Sequence, residues 1–130
     1  MTDLRGNASY RDLRAWQEAQ ALAGLVYSLP LGRKGTVDVD LIAQIRSAAV
    51  SIPSNIAEGN GRGTNKEALR FLNIARGSLH ELETQLTICR TLGSLDAVDS
   101  LRLLEQTSIV GRLLGGLIRY RKERLKREQD

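Results

Sequence analysis

Apolar residues recur at three-and-four spacing in four stretches of the chain, and no stretch alternates in the manner of a strand. The first stretch covers residues 9–29. Leu13, Trp16, Ala19, Ala23, Val26 and Tyr27 mark its face, with Gln20 as a polar interruption at the edge. Ser9 and Asp12 have capping-box spacing with a shortened acid, and Pro30 predicts the stop. Leu31 to Val39 contains two glycines and reads as a loop. The second stretch covers 40–58. Leu41, Ile42, Ile45, Ala48, Ala49, Ile52 and Ile56 fall within a sector of roughly 120° at about 100° per residue. Pro53 lies inside it and predicts a kink or break, because it removes the bond to the Ala49 carbonyl. Gly59-Asn60-Gly61-Arg62-Gly63 reads as the end of that helix.

The third stretch, 65–92, is the most regular. Thr64 and Glu67 have capping-box spacing, and Ala68, Leu72, Ala75, Leu79, Leu82, Leu86 and Cys89 form an unbroken heptad seam. Gly93 is placed to act as a left-handed cap. The fourth stretch, 97–126, follows Asp96 and contains Asp99, acids that suit a helix N-terminus. Leu103, Val110 and Leu117 repeat at seven, supported by Leu104, Leu113, Leu114 and Ile118. Gly111, Gly115 and Gly116 weaken this helix but permit close backbone approach. Four amphipathic helices with short connections predict an all-α, antiparallel up-down-up-down four-helix bundle, a single domain over residues 1–130. A three-helix bundle with a loose fourth arm is the alternative. The predicted core includes Leu13, Trp16, Ile45, Ile52, Leu72, Leu79, Leu82 and Leu86.

Composition narrows the function. One Cys and one His cannot build an intrachain disulfide, a cysteine zinc cage or a multi-histidine site. Aromatics at 4% argue against modules that stack rows of bases. No stretch approaches the roughly 20 apolar residues of a membrane span, and the start Met1-Thr2-Asp3-Leu4-Arg5 lacks a signal-peptide core, so a cytoplasmic protein is expected. His80-Glu81 begins a zinc-protease pattern, but Thr84 stands where the second His belongs. Cys89 falls on the heptad seam, where a small apolar role is expected rather than a nucleophile. Without a catalytic constellation the expectation is no enzyme and no cofactor.

Two surface features remain. Gln44, Ser47, Ser51, Ser54, Asn55 and Glu58 cluster away from the apolar face of the second helix, mostly small and uncharged, which suggests a subunit contact. Charge is uneven. The chain is +4 overall, and residues 119–130 hold Arg119, Arg121, Lys122, Arg124, Lys126 and Arg127 against Glu123, Glu128 and Asp130, a net of +3. Such a cluster compensates a helix C-terminus, and it also suits phosphate. In a symmetric ring several tails would add their fields.

The segments Tyr10 to Gln17, Gln44 to Gly59 (QIRSAAVSIPSNIAEG) and Arg70 to Leu86 (RFLNIARGSLHELETQL) resemble the bacterial four-helix-bundle family encoded in intervening sequences of 23S ribosomal RNA genes. The accessory variability determinant protein of diversity-generating retroelements is similar. The resemblance implies a homopentameric ring and, as in the retroelement relative, a basic surface for RNA or DNA and a reverse transcriptase or other protein as partner. It implies that Ser51, Pro53, Asn55, Glu58, Gly59, Ser78, Glu81 and Glu83 determine fold or assembly. The loop from Leu31 to Val39 departs from the family's aromatic-acidic version, which predicts a disordered connection. Two functions follow: an oligomeric nucleic-acid-binding accessory factor, or a structural adaptor ring that binds protein alone.

Overall fold

The structure is a computed structural model and describes residues 9–32 and 37–130. A short 3-10 turn, Tyr10–Asp12, precedes four helices: α1 Arg14–Ser28, α2 Val39–Asn60, α3 Asn65–Thr91 and α4 Ala97–Gln129. Each helix packs on its chain neighbours and α1 closes against α4, while the diagonal pairs bring no Cα atoms within 8 Å. This is the up-down-up-down bundle, and α4 is part of it rather than a loose arm.

The first helix starts later than its capping signal. The Ser9 hydroxyl accepts from the Arg11 N–H and caps the 3-10 turn, which the Asp12 N–H closes on the Ser9 carbonyl, and α1 begins only at Arg14. Its buried face is Ala15, Ala19, Leu22 and Val26. Leu13, Trp16 and Ala23 are half-buried beside the core, with the Trp16 ring edge-on to Tyr10 at 5.1 Å. Tyr27 is not a core residue; it is 53% exposed and carries the Arg46 guanidinium over its ring. The helix is rich in alanine, so its periodicity underdetermines which stripe turns inward, and Leu22 decides it.

Leu31 and Val37 are both buried and pin the α1–α2 connection from its two ends. Disorder is expected over Leu31 to Val39, but residues 31–32 and 37–39 are placed, with Val39 already in α2; residues 33–36 lie outside the described residues. Asp38 caps α2, accepting from the Leu41 N–H at 2.7 Å. α2 then runs unbroken through Pro53, contrary to the expectation of a break. One helical bond is lost there, but Ile52, Pro53 and Ile56 are all buried, and that apolar contact outweighs it. The helix also passes into the glycine run. A Cβ on Gly59 would stand 3.1 Å from the Ala68 carbonyl oxygen and 3.3 Å from Phe71 Cβ, so glycine is what lets α3 lie this close. The run ends the helix only at Gly61, whose N–H reaches the Ala57 and Glu58 carbonyls.

All seven residues of the α3 seam are buried. Thr64 caps the helix through the Glu67 N–H at 3.1 Å. At the other end Gly93 has φ +79°, the Ser94 N–H donates to the Cys89 carbonyl and the Gly93 N–H to Arg90. That pair of bonds is a Schellman motif. Asp96 starts α4 by accepting from the Asp99 N–H at 2.8 Å. The α4 seam is Leu103, Thr107, Val110, Leu114 and Ile118. Leu104 is 64% exposed, and Leu113 and Leu117 are half-buried, so the seven-residue repeat drifts off the core. Gly111 meets Leu79, whereas Gly115 and Gly116 face only the Arg119 side chain.

Candidate nucleic-acid interface

No Gly or Pro follows Gly116, and α4 continues through the basic tail to Gln129. Its 33 residues make a rod of about 50 Å, against about 22 Å for the 15 residues of α1. At least half of α4 therefore has no α1 beside it. Lys126 and Arg127 occupy the last turn, where cations meet the negative helix end. Helical geometry sets Arg119, Lys122 and Lys126 on one ridge and Arg121 and Arg124 on the next. Arg119, Lys122, Arg124, Lys126 and Arg127 are exposed, and Arg124 lies over the Tyr120 ring at 5.4 Å. Arg121 is different. It is half-buried and donates to Asn65 Oδ1 at 2.9 Å.

Asn65 is the first residue of α3 and only 6% exposed. Its Nδ2 donates to the Glu128 carboxylate. The α2–α3 turn and the C-terminal third of α4 are thus one end of the bundle. The turn is also basic. Arg62 and Arg70 cover the Phe71 ring at 4.5 and 4.4 Å, paired with Glu58 at 2.9 Å and Glu67 at 3.0 Å, and Lys66 is exposed between them. Residues 58–70 and 119–130 together hold nine Lys and Arg against five Asp and Glu, a net of +4. The remainder holds ten of each sign, so these two segments alone carry a net charge equal to that of the whole chain. Sequence reasoning isolated the tail but missed its union with the turn. Asn65 offered one signal: it stands three residues before Ala68, which extends the α3 seam to the first turn.

The small polar stripe of α2 divides. Gln44, Ser47 and Ser54 are exposed, next to Val50 at 43%. Ser51 and Asn55 instead serve the fold: the Ser51 and Ser78 hydroxyls share a 2.8 Å hydrogen bond between α2 and α3, and Asn55 Nδ2 donates to the Ser51 carbonyl and hydroxyl. Pro53 and Gly59 are buried, and Glu58 pairs with Arg62. On α3, Glu81 accepts from Gln85 Nε2 at 3.1 Å. Glu83 lines a groove of about 600 Å³ between α3 and α4, floored by Leu86 and Leu103 and edged by exposed Leu101 and Leu104. His80 is exposed. Cys89 is fully buried, and burial pushes its thiol above the usual range. Among the described residues no group of three His, Cys, Asp or Glu could hold a metal, and no helix is long and apolar enough to cross a membrane.

The bundle and its turns coincide with a known pattern: the family model of the 23S rRNA-intervening sequence protein matches residues 11–116. The chain belongs to this family. No curated protein matches it. The family match takes in the α2–α3 turn with Arg62, Lys66 and Arg70, and stops short of the basic stretch that begins at Arg119. In this chain the two halves of the basic end therefore have different standing. One lies on the family's shared bundle and the other is an extension of its last helix.

Proposed function

We propose that this chain is a non-enzymatic accessory factor that binds RNA or DNA through the phosphate backbone, working as a homo-oligomer, a pentamer by family resemblance. The observation that carries the reading is the net +4 that the α2–α3 turn and the α4 tail bring together at one end of the bundle. Exposed Arg and Lys on a rigid helix suit phosphate, and few aromatics are present to read bases. The exposed and nearly uncharged Gln44, Ser47, Val50 and Ser54 of α2 support a subunit contact. A ring would multiply the local field.

Replacing Arg119, Lys122, Arg124, Lys126 and Arg127 with Gln keeps good helix formers in place and leaves the Arg121–Asn65 contact intact. Measured on an RNA hairpin and a DNA duplex of unrelated sequence, each lost phosphate contact should flatten the log-affinity against log-salt slope by about 0.7 to 0.9. An unchanged affinity and slope would make the tail a solvated helix end and turn attention to Arg46, Arg62, Lys66 and Arg70. The adaptor reading, in which a protein is the partner, has the α3–α4 groove in its favour, with Leu101 and Leu104 left open to solvent. It predicts no nucleic-acid binding even at low salt.

A further inference from the structure

The geometry points to a composite nucleic-acid surface in which the α4 tail and the α2–α3 turn act as one rigid unit, with Asn65 as the residue that sets their register. This inference rests on the nucleic-acid reading above and adds to it a second set of contacts and a positioning residue. Asn65 is a polar side chain only 6% exposed, a position that costs free energy unless its amide is satisfied. Both of its partners come from α4: Arg121 donates to its carbonyl oxygen, and its amide nitrogen donates to Glu128. Those partners are seven residues apart, two turns of the same helix face.

A single side chain therefore grips the tail at two levels. Without it, the exposed end of α4 would have little else to hold it, since Leu125 is the one half-buried apolar residue beyond Ile118. Helix ends fray when they lack tertiary contact. The grip fixes where Lys122, Arg124 and Lys126 stand relative to Lys66 and to the Arg62–Phe71–Arg70 stack. The stack is itself ordered, because each guanidinium lies on the ring and is held by a carboxylate. Pre-ordered cations bind polyphosphate with less entropy lost than flexible ones. Cations attract phosphate whatever the base, so the partner proposed is a nucleic-acid backbone rather than a sequence.

The test separates position from charge. Asn65→Leu keeps the net charge and fills the buried site, but removes both bonds. Amide hydrogen exchange over residues 121–129 should quicken, and affinity for the RNA hairpin should fall about fivefold, the effect of one to two lost hydrogen bonds. Glu128→Gln and Glu128→Leu form a second pair that alters only an exposed residue and so does not threaten folding. Both raise the net charge equally, yet only Gln retains an acceptor for Asn65. Glu128→Gln should bind at least as tightly as the parent, and Glu128→Leu several-fold more weakly than Glu128→Gln. If the parent binds the hairpin but Asn65→Leu binds it equally well, or if the Glu128 variants match each other, the composite surface is wrong and the nucleic-acid reading survives. If the parent does not bind at low salt, both fall.

Discussion

An alanine at Gly59 would set its methyl against the Ala68 carbonyl and Phe71, both on another helix and neither free to move. An alanine at Gly111 would rest 3.6 Å from Leu79 Cδ2, an ordinary contact. The two substitutions should therefore have opposite signs. In urea denaturation Gly111→Ala should gain up to about 1 kcal/mol from helix propensity, and Gly59→Ala should lose stability despite the same gain. Leu79 is 2% exposed on the α3 seam, and Leu79→Ala should cost about 2–5 kcal/mol; a loss below about 1 kcal/mol would contradict its place in the core. Cys89 bears on both reactivity and pH. Its thiol should resist iodoacetamide until the protein unfolds. Because its folded value is raised above the unfolded one, the thiol keeps its proton longer in the native state. Stability is then fully present below about pH 8.5, the unfolded thiol's range, and should decline as pH rises above it.

At the scale of elements, α3 shows what a sequence can specify alone. Its start, its seam and its end each carry a separate local signal, and all agree: Thr64, the heptad residues and Gly93. Gly93→Ala should cost about 1–2 kcal/mol, since an L side chain is strained at φ +79°. Asp96→Ala should cost about 1 kcal/mol by removing the α4 cap. Both are read by denaturation, and a neutral Gly93→Ala would contradict the assigned turn. α1 and α4 were less legible for a physical reason. Ser9 can close a 3-10 turn as readily as an α-helix, and in a helix of small residues several stripes are equally apolar. In α4 the polar Thr107 is buried on the seam while Leu104, part of the expected apolar pattern, is exposed. The length of α2 hinged on tertiary contact: Pro53 and Gly59 both look like breakers until their burial beside neighbouring elements is seen. The basic tail was legible as arithmetic. Its seat was not, because the Asn65 contacts span 56 and 63 residues of chain.

Across the described residues, net positive charge gathers at one end, and the opposite end carries an open apolar groove. A ring of such protomers would gather the basic ends and amplify their attraction for phosphate. Light scattering at about 10 μM should report an oligomer, which corresponds to self-association of about −7 kcal/mol or stronger. A monomer there would remove the ring and with it the amplification. Ser47→Arg, at an exposed position of the α2 stripe, should weaken assembly and leave helical content unchanged by circular dichroism. The central claim is phosphate-backbone binding at the basic end, and the salt dependence of binding by the unaltered protein tests it most directly. Affinity for an RNA hairpin of arbitrary sequence should fall linearly in log–log form with a slope of about −3 to −5, the release expected for four to six neutralised phosphates. A slope near zero, or no binding at the lowest salt, would contradict it.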